Sequence, residues 1–273
     1  MNRPLLSIEN LFIKGKTDEK VFINNISIKL TEGEIVSLIG ESGSGKSLTA
    51  RAILGLLPLT MSVYGRIYFK NKDVLSLSSK EHRTLLGNEI GMIFQDYRGT
   101  FTPFIKIGKQ MVETIRTHQK MSKKEAKEVA YQVLEKMGLD SKKTYQRYPF
   151  QLSGGQTQRA AIALALALRP SLIICDEMTT ALDVISGEKV LDYIDQLRKE
   201  TGCAVLMITH DLTLAYKRAD RIYVMNQGEI VEEGFSEEIR CYHKHPYTKK
   251  LCSCLLTLPN EVAGNQKERV ESL

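Results

Sequence analysis

Gly40-Glu41-Ser42-Gly43-Ser44-Gly45-Lys46-Ser47 is the stretch that decides the fold of this 273-residue chain. It follows a short apolar run, Ile35 to Ile39, that is typical of a buried strand. It precedes a pattern that predicts a helix from Lys46 to Leu57, ending at Pro58. A loop of the form G-x-x-x-x-G-K-[ST] between a strand and a helix predicts a site where backbone N–H groups surround phosphates.

The residue types of this loop fit a nucleoside triphosphate with a magnesium ion. Glycines let the backbone turn tightly, so all eight residues from Gly40 to Ser47 are candidate nucleotide-binding residues. Lys46 can reach the outer phosphates as a point charge, and the Ser47 hydroxyl can bind Mg²⁺. A flexible glycine-rich loop is the alternative, but the flanking strand and helix favour a phosphate site. We therefore expect a nucleoside triphosphate and Mg²⁺ as ligands.

Two adjacent carboxylates follow a second apolar run, Leu172 to Cys175. At the end of a buried strand they would lie beside the phosphate loop, where Asp176 suits the Mg²⁺ shell, through water. Glu177 is then placed to polarise an attacking water, so it is the candidate catalytic base. Two acids at a strand end are also common as plain surface residues. The phosphate loop in the same chain favours the catalytic interpretation.

The rest of the pattern predicts an α/β fold. Strands are expected at Val21 to Leu30, with a possible register break, at Ile90 to Gln95 and at Ala204 to Ile208. Helices between the strands predict a largely parallel sheet covered on both faces. A helical stretch at about 97–160, with a capping box at Ser122-Lys123-Lys124-Glu125, interrupts the alternation and predicts an inserted subdomain. Further helices are expected from Ser153 to Arg169, opened by a second capping box, and from Val184 to Lys199.

Between these motifs stands Leu152-Ser153-Gly154-Gly155-Gln156, followed by Gln158-Arg159. This matches the LSGGQ signature of ATP-binding-cassette (ABC) proteins, and the chain resembles that family over nearly its whole length. The resemblance matches Gln95 to the family's Q-loop glutamine, Ala181-Leu182-Asp183 to its D-loop and His210 to its switch histidine. It implies a P-loop NTPase nucleotide-binding domain with an inserted α-helical subdomain and an N-terminal antiparallel β portion. We expect this domain to occupy residues 1–258, followed by a polar tail at 259–273.

The family's mechanism implies roles for these residues. Gln95 would bind Mg²⁺ or water and assist catalysis, and His210 would contact the γ-phosphate. Cassettes of this family work as dimers, in which the signature of one chain faces the phosphate loop of the other across ATP. Ser153, Gly154, Gly155 and Gln156 open a helix, so their N–H groups can form a second anion site for a phosphate from outside their own pocket.

Within the family, the details resemble the ATPase subunits of oligopeptide, dipeptide and nickel importers. The marks are Thr179-Thr180-Ala181-Leu182-Asp183, the element His245-Pro246-Tyr247-Thr248, and Tyr148-Pro149-Phe150, which resembles the nickel type. Met178 and Asp96-Tyr97 depart from the branch, but neither change removes a ligand. The sequence has no counterpart of the Cys-containing tail of longer peptide-importing members, which slightly favours a metal or metal-chelate solute.

This branch implies specific partners and a location. We expect a second, related ATPase as partner, two membrane permeases, and an indirect link to a solute-binding protein. The location would be peripheral, at the cytoplasmic face of the cell membrane. No nucleic-acid partner is expected, because no long coiled coil, second cassette or zinc module accompanies the motifs. An ABC exporter ATPase and a non-transport cassette of nucleic-acid or ribosome biology are the alternatives.

Composition agrees with an ordinary globular domain. The chain is 42% hydrophobic and 26% charged, and no apolar run approaches the roughly 20 residues that span a bilayer. No signal peptide is expected, and five cysteines without a regular framework argue against a disulfide scaffold. The net charge of +6 lies within residues 103–150, which form either a solvated helical face or a surface near anionic lipid or a docking partner.

Two assignments stay open on the sequence. The aromatic residue that would stack on adenine is not fixed, with Phe12 and Phe22 as weak candidates. Cysteine and histidine side chains also cluster near the end of the chain, where they could ligate a soft metal or be unligated residues on short helices. This cluster consists of Cys241, His243, His245, Cys252 and Cys254.

Overall fold

Alternating strands and helices build the computed structural model, which describes residues 3–179 and 182–256, with side chains up to 253. The strands are β1 (Leu6–Gly15), β2 (Val21–Leu30), β3 (Ile35–Ile39), β4 (Met61–Phe69), β5 (Lys72–Asp73), β6 (Ile90–Ile93), β7 (Leu172–Asp176), β8 (Ala204–Thr209), β9 (Arg221–Asn226) and β10 (Glu229–Phe235). The α-helices are α1 (Lys46–Ile53), α2 (Ser79–Leu85), α3 (Ile107–His118), α4 (Lys123–Lys136), α5 (Ser141–Gln146), α6 (Gly154–Ala167), α7 (Val184–Thr201), α8 (Leu212–Arg218), α9 (Ser236–Tyr242) and α10 (Pro246–Leu256).

A six-stranded sheet carries the phosphate loop. Its order is β10-β9-β3-β8-β7-β6, and all neighbours are parallel except β10, which pairs antiparallel with β9. The central strands are buried on both faces: in β7, Leu172 and Ile174 join one core cluster, while Ile173 and Cys175 join the other. This explains why these strands are continuous apolar runs. The carboxyl ends of β3, β6, β7 and β8 therefore meet at one edge.

A second sheet of order β2-β1-β4-β5 is antiparallel, as the fold class expected from the sequence requires. The register break expected in β2 is confirmed, because its pairing with β1 shifts at several points along the strand. The two sheets share one core cluster, to which Ile8 and Leu11 of β1 and Leu38 and Leu206 of the larger sheet belong. The antiparallel sheet thus covers one face of the larger sheet.

Helices α3, α4, α5 and α6 pack against one another and against the other core cluster, within the stretch where a helical insertion was expected. The expected capping box at Ser122 is confirmed, since its hydroxyl accepts the Glu125 N–H and the Glu125 carboxylate accepts the Ser122 N–H. Helix α4 ends at Lys136, and Gly138 follows it in the left-handed region with φ +66. None of the helices in the described part of the chain is long and apolar enough to cross a membrane.

Several expected boundaries were wrong. Helix α1 ends at Ile53 rather than Leu57, because Gly55 adopts φ +62 and closes the helix with hydrogen bonds from Gly55 N–H to Ala52 and from Leu56 N–H to Arg51. Helix α6 ends at Ala167, because Arg169 before Pro170 takes φ +50. Strand β6 ends at Ile93, two residues before Gln95. The polar tail expected at 259–273 lies outside the described residues.

Candidate nucleotide site

The phosphate loop connects β3 to α1 by a path that only glycine allows at two points. Gly45, the N-cap residue of α1, has φ +111, and a Cβ atom there would lie 2.5 Å from Ile23 Cδ1. A Cβ atom on Gly40 would lie 2.1 Å from the carbonyl oxygen of Met225. The loop is therefore seated directly against β2 and β9, and its close approach explains the glycines at both ends.

Lys46 folds back over this loop. Its Nζ donates to the carbonyl oxygens of Gly40 and Glu41, both at 2.8 Å, and the residue is only 5% exposed. Burial lowers the pKa of Lys46, while the nearby charges of Glu177 and Asp176 work in the opposite direction. An ammonium group held in place by two carbonyls has little conformational entropy left to lose when it meets a phosphate.

Ser47 and Asp176 bring two hard oxygen ligands together. The Ser47 hydroxyl donates to Asp176 Oδ1 at 3.0 Å, across from α1 to the end of β7. Asp176 is 7% exposed, and burial raises its pKa more than the Ser47 hydrogen bond lowers it. A hydroxyl and a buried carboxylate beside a phosphate loop fit Mg²⁺, which prefers oxygen ligands and offsets the cost of burying the carboxylate charge.

Glu177 lies at the centre of the candidate catalytic group. The amide nitrogen Nε2 of Gln95 donates to Glu177 Oε2 at 2.8 Å, and His210 Nδ1 lies 3.1 Å from Glu177 Oε1. The three residues follow the adjacent strands β6, β7 and β8, so the sheet itself sets their spacing. The structure thus brings together Gln95, Glu177 and His210, which the sequence had predicted separately.

The backbone at Glu177 is unusual. Its φ is +48, in the left-handed region that side chains other than glycine, asparagine and aspartate rarely adopt. The Glu177 N–H donates to the Ile208 carbonyl of β8 at 3.0 Å, which fixes this conformation. Such strain persists only where the surrounding structure imposes it, and it is frequent at functional sites. It points to a turn that exists to direct the Glu177 side chain.

The signature residues form the start of α6. The Ser153 hydroxyl accepts the Gln156 N–H, and the Gln156 side-chain oxygen accepts the Ser153 N–H, so the expected capping box is confirmed. A Cβ on Gly155 would meet no atom within 4 Å. No hydrogen bond within the described parts of the chain joins Ser153–Gln156 to the loop at Gly40–Ser47. These predicted ligands are therefore not part of the same hydrogen-bonded group.

A buried link between α6 and the strand-end carboxylates was missed by sequence reasoning. Gln158 is 1% exposed, and its Nε2 donates to the carbonyl oxygen of Met178 at 2.7 Å, next to Glu177. The only sequence signal was the position of Gln158, two residues after the signature motif. Arg159 points to the other side and donates to the carbonyls of Met137 and Gly138 at the end of α4.

The departures from the importer branch are accommodated locally. Met178 is buried in a core cluster, and the Asp96 carboxylate accepts the Arg98 N–H. Asp183 caps α7 by accepting the Ser186 N–H at 2.9 Å. Of the expected D-loop, Ala181 lies outside the described residues, as does Thr180.

The weak adenine candidates gain little support. Phe12 packs against the Tyr64 ring, with centroids 6.2 Å apart, and the Phe22 ring lies under the Lys20 ammonium at 5.4 Å. Among the described residues, no group of three or more cysteine, histidine or acidic side chains could hold a metal ion. Cys252 Sγ instead lies 3.0 Å from Tyr216 Oη, and the side chain of Cys254 lies outside the described residues.

Known proteins with similar sequences include ATP-binding proteins of an import system and of oligopeptide transport. Residues 23–180 match the ABC transporter family model. The metal-staphylopine import system ATP-binding protein CntD of Staphylococcus aureus is 41% identical over 250 residues, covering 91% of this chain and 92% of that protein. The oligopeptide transport ATP-binding protein OppD of Bacillus subtilis is 42% identical over 268 residues, covering 96% of this chain and 74% of that protein.

Solved structures of ATP-binding cassettes are also similar to this chain. A dimeric ATP-binding cassette in a post-hydrolysis state bound to ADP and Pi matches with a TM-score of 0.76 and 31% identity, over 85% of this chain and 98% of that chain.

Proposed function

The chain belongs to the ABC transporter family, and we propose that within it Glu177 is the base that polarises the water attacking the γ-phosphate of ATP. The protein is an ATPase, and it is the ATP-hydrolysing subunit that energises import of a small solute. The observation that carries our assignment of the base is the convergence of Gln95 Nε2 and His210 Nδ1 on the two oxygens of Glu177. Two contacts from flanking strands fix the direction of the carboxylate.

Different groups of the chain have different roles in the proposed reaction. The phosphate loop and Lys46 bind and orient the triphosphate, because backbone N–H groups and an ammonium complement its negative charge. Glu177 accepts a proton from the attacking water, while Gln95 and His210 hold the carboxylate. His210 is also placed, by its position next to Glu177, to donate to the γ-phosphate.

Magnesium fits the same site. Ser47 and Asp176 would hold the ion, and Gln95 can contribute its amide oxygen because its NH₂ group already faces Glu177. When bound, Mg²⁺ neutralises charge on the phosphate oxygens. The buried Ser47–Asp176 pair supports this assignment, since the carboxylate has a raised pKa, which a cation would reverse.

The signature supports a two-chain site. Ser153, Gly154, Gly155 and Gln156 open α6, and within the described residues no hydrogen bond joins them to the loop at Gly40–Ser47, so their phosphate would come from another molecule. We propose that the chain pairs with a second, related ATPase and docks on two membrane permeases served by a solute-binding protein. It would then lie peripherally at the cytoplasmic face of the membrane. The import system named for one relative and the oligopeptide transport named for another support this arrangement.

The solute belongs to one of two classes. Relatives of nearly equal identity are named for metal-staphylopine import and for oligopeptide transport, so we propose a small peptide or a metal chelate, nickel included, as the solute. Uptake of radiolabelled nickel chelate and of labelled tripeptide should be compared in cells that carry the wild-type chain or a Lys46→Ala chain. Loss of uptake of only one solute in the variant identifies the cargo, and loss of neither contradicts both classes.

Substitution of Glu177 tests the catalytic assignment. Glu177→Gln keeps the shape of the side chain but removes its basicity, so turnover should fall by roughly 10²- to 10⁴-fold. MgATP should still bind, and closed dimers should accumulate in size-exclusion chromatography. Glu128→Gln, the same change at an exposed position of α4, serves as the matched control. Hydrolysis by Glu177→Gln at the wild-type rate would show that another group is the base.

A further inference from the structure

Tyr247 touches the phosphate loop from the far end of the chain. The backbone N–H of Glu41, the second residue of the loop, donates to the Tyr247 hydroxyl at 2.9 Å. The two residues are 206 positions apart in the sequence. In the sequence, the element His245-Pro246-Tyr247-Thr248 is only a mark of one family branch. This contact gives it a physical role.

Glu41 connects Tyr247 to Lys46. While its N–H is bound by Tyr247, its carbonyl oxygen accepts from Lys46 Nζ at 2.8 Å. Both polar groups of the Glu41 backbone are therefore engaged, one by α10 and one by the lysine that faces the phosphates. A shift of Glu41 would therefore displace one of the two carbonyl oxygens that hold the Lys46 ammonium.

The turn before α10 directs Tyr247 at the loop. The carboxylate of Glu232 on β10 accepts the N–H groups of Lys244 at 2.6 Å and of His245 at 3.1 Å. His245 Nδ1 then accepts the Tyr247 N–H at 3.2 Å, which caps the first turn of α10. Thr248 is fully buried. Glu232 and His245 thus fix the backbone from which the Tyr247 side chain extends.

A second contact restrains the same loop. The Gly228 N–H, in the turn between β9 and β10, donates to the Ser44 carbonyl at 2.9 Å. The loop is thus held near both of its ends by segments that follow His210 in the chain. Burial raises the pKa of Tyr247, so its hydroxyl stays neutral and can accept from an N–H group at cellular pH.

From these contacts the geometry points to Tyr247 as a positioning residue for nucleotide binding: its hydroxyl fixes Glu41 and thereby the Lys46 ammonium. The residue acts on the phosphate loop and does not itself touch the reacting atoms. The inference rests on the proposed ATPase function. Because the Tyr247 hydroxyl contacts the phosphate loop and not the reacting atoms, we expect it to contribute to nucleotide binding and not to the chemical step.

Tyr247→Phe tests the inference, since it removes the hydroxyl and keeps the ring. The Kd for MgATP and the KM for ATP should both rise by about three- to tenfold, the size of one lost hydrogen bond. Turnover at saturating ATP should change by less than about twofold, because uniform binding affects KM and leaves kcat unchanged. Titration of the full chain with MgATP and steady-state hydrolysis measure the two quantities.

Tyr216→Phe is the matched control. Tyr216 lies on α8, and its hydroxyl is 3.0 Å from the Sγ atom of Cys252 on α10, the helix that also carries Tyr247. Loss of this hydroxyl therefore disturbs the attachment of α10 without removing a contact to the phosphate loop. Its MgATP affinity should equal that of the wild type. Glu232→Gln, which weakens the turn before Tyr247, should raise the Kd in the same direction as Tyr247→Phe.

The remaining outcomes are decisive. Wild-type affinity in Tyr247→Phe, equal weakening in both tyrosine variants, or a loss confined to kcat would each overturn the positioning role. An unchanged Kd in Glu232→Gln would overturn the part assigned to the turn. Failure of the wild-type chain to bind MgATP would instead contradict the proposed function itself, so the two failures are distinguishable.

Discussion

Gly40→Ala is the sharpest test of how the phosphate loop is seated. A Cβ atom at this position would lie 2.1 Å from the carbonyl oxygen of Met225. Carbon–oxygen contacts in proteins begin at about 3.3 Å, so the loop or β9 must move by roughly 1 Å. Because the obstacle is a backbone atom in the middle of a sheet, no side-chain rotation relieves it.

The magnitude follows from the contacts that such a shift breaks. A displacement of about 1 Å removes at least one N–H contact to a charged phosphate, worth about 1.5–3 kcal/mol. MgATP affinity should therefore fall by about ten- to a hundredfold. Overpacking costs about 1–3 kcal/mol, which corresponds to a drop of about 2–12 °C in Tm.

Gly43→Ala separates the effect of a steric clash from the effect of an unfavourable backbone conformation. A Cβ on Gly43 would meet no atom within 4 Å, but its φ of +82 is unfavourable for alanine by about 1–2 kcal/mol. Calorimetric titration with MgATP and thermal unfolding of both variants should show a larger affinity loss for Gly40→Ala. Affinity and Tm within error of the wild type for Gly40→Ala, or the reverse order of the two variants, would refute the reasoning.

Two further predictions concern the charges of the site. Lys46→Ala should lose most of its nucleotide affinity in the same titration, and unchanged ATP binding would contradict the phosphate-loop assignment. Asp176 has a raised pKa in the folded chain, so the stability it contributes is greatest below its unfolded pKa and is lost as the pH rises through the folded value. Asp176→Asn should therefore raise the Tm of the nucleotide-free chain at neutral pH and flatten its acid dependence, while Mg²⁺-dependent ATP binding is lost. If the Tm of Asp176→Asn at neutral pH were below that of the wild type, the buried charge of Asp176 would not destabilise the nucleotide-free chain.

Local motifs were predictable from the sequence because each carries its own physical signal. The apolar run Ile35–Ile39 and the capping boxes at Ser122 and Ser153 appear in the structure as expected. The length of α1 was not predictable in this way. Gly55 stops the helix before Pro58, and a glycine inside a helical pattern is ambiguous in a sequence.

Contacts between segments that are distant in the chain could not be predicted, because they leave no such signal in the sequence. Gln158 and Met178 are joined through a side-chain amide and a backbone carbonyl, and any residue type can supply the carbonyl. The same holds for the Glu41 N–H that meets Tyr247. An antiparallel portion was expected, but its strands β1 and β4 were not located from the sequence, because shifts in their register blur the alternation of apolar residues.

The row of strand ends at β6, β7 and β8 has a consequence for how this protein can vary over evolutionary time. Gln95, Glu177 and His210 meet because three parallel strands end in step, and side chains alternate faces along each strand. One residue gained or lost within Leu172–Asp176 would turn Glu177 toward the opposite face and present a neighbour in its place. Apolar residues in these strands can exchange for one another, whereas the number of residues is fixed. Length, more than composition, is the heritable constraint on this part of the chain.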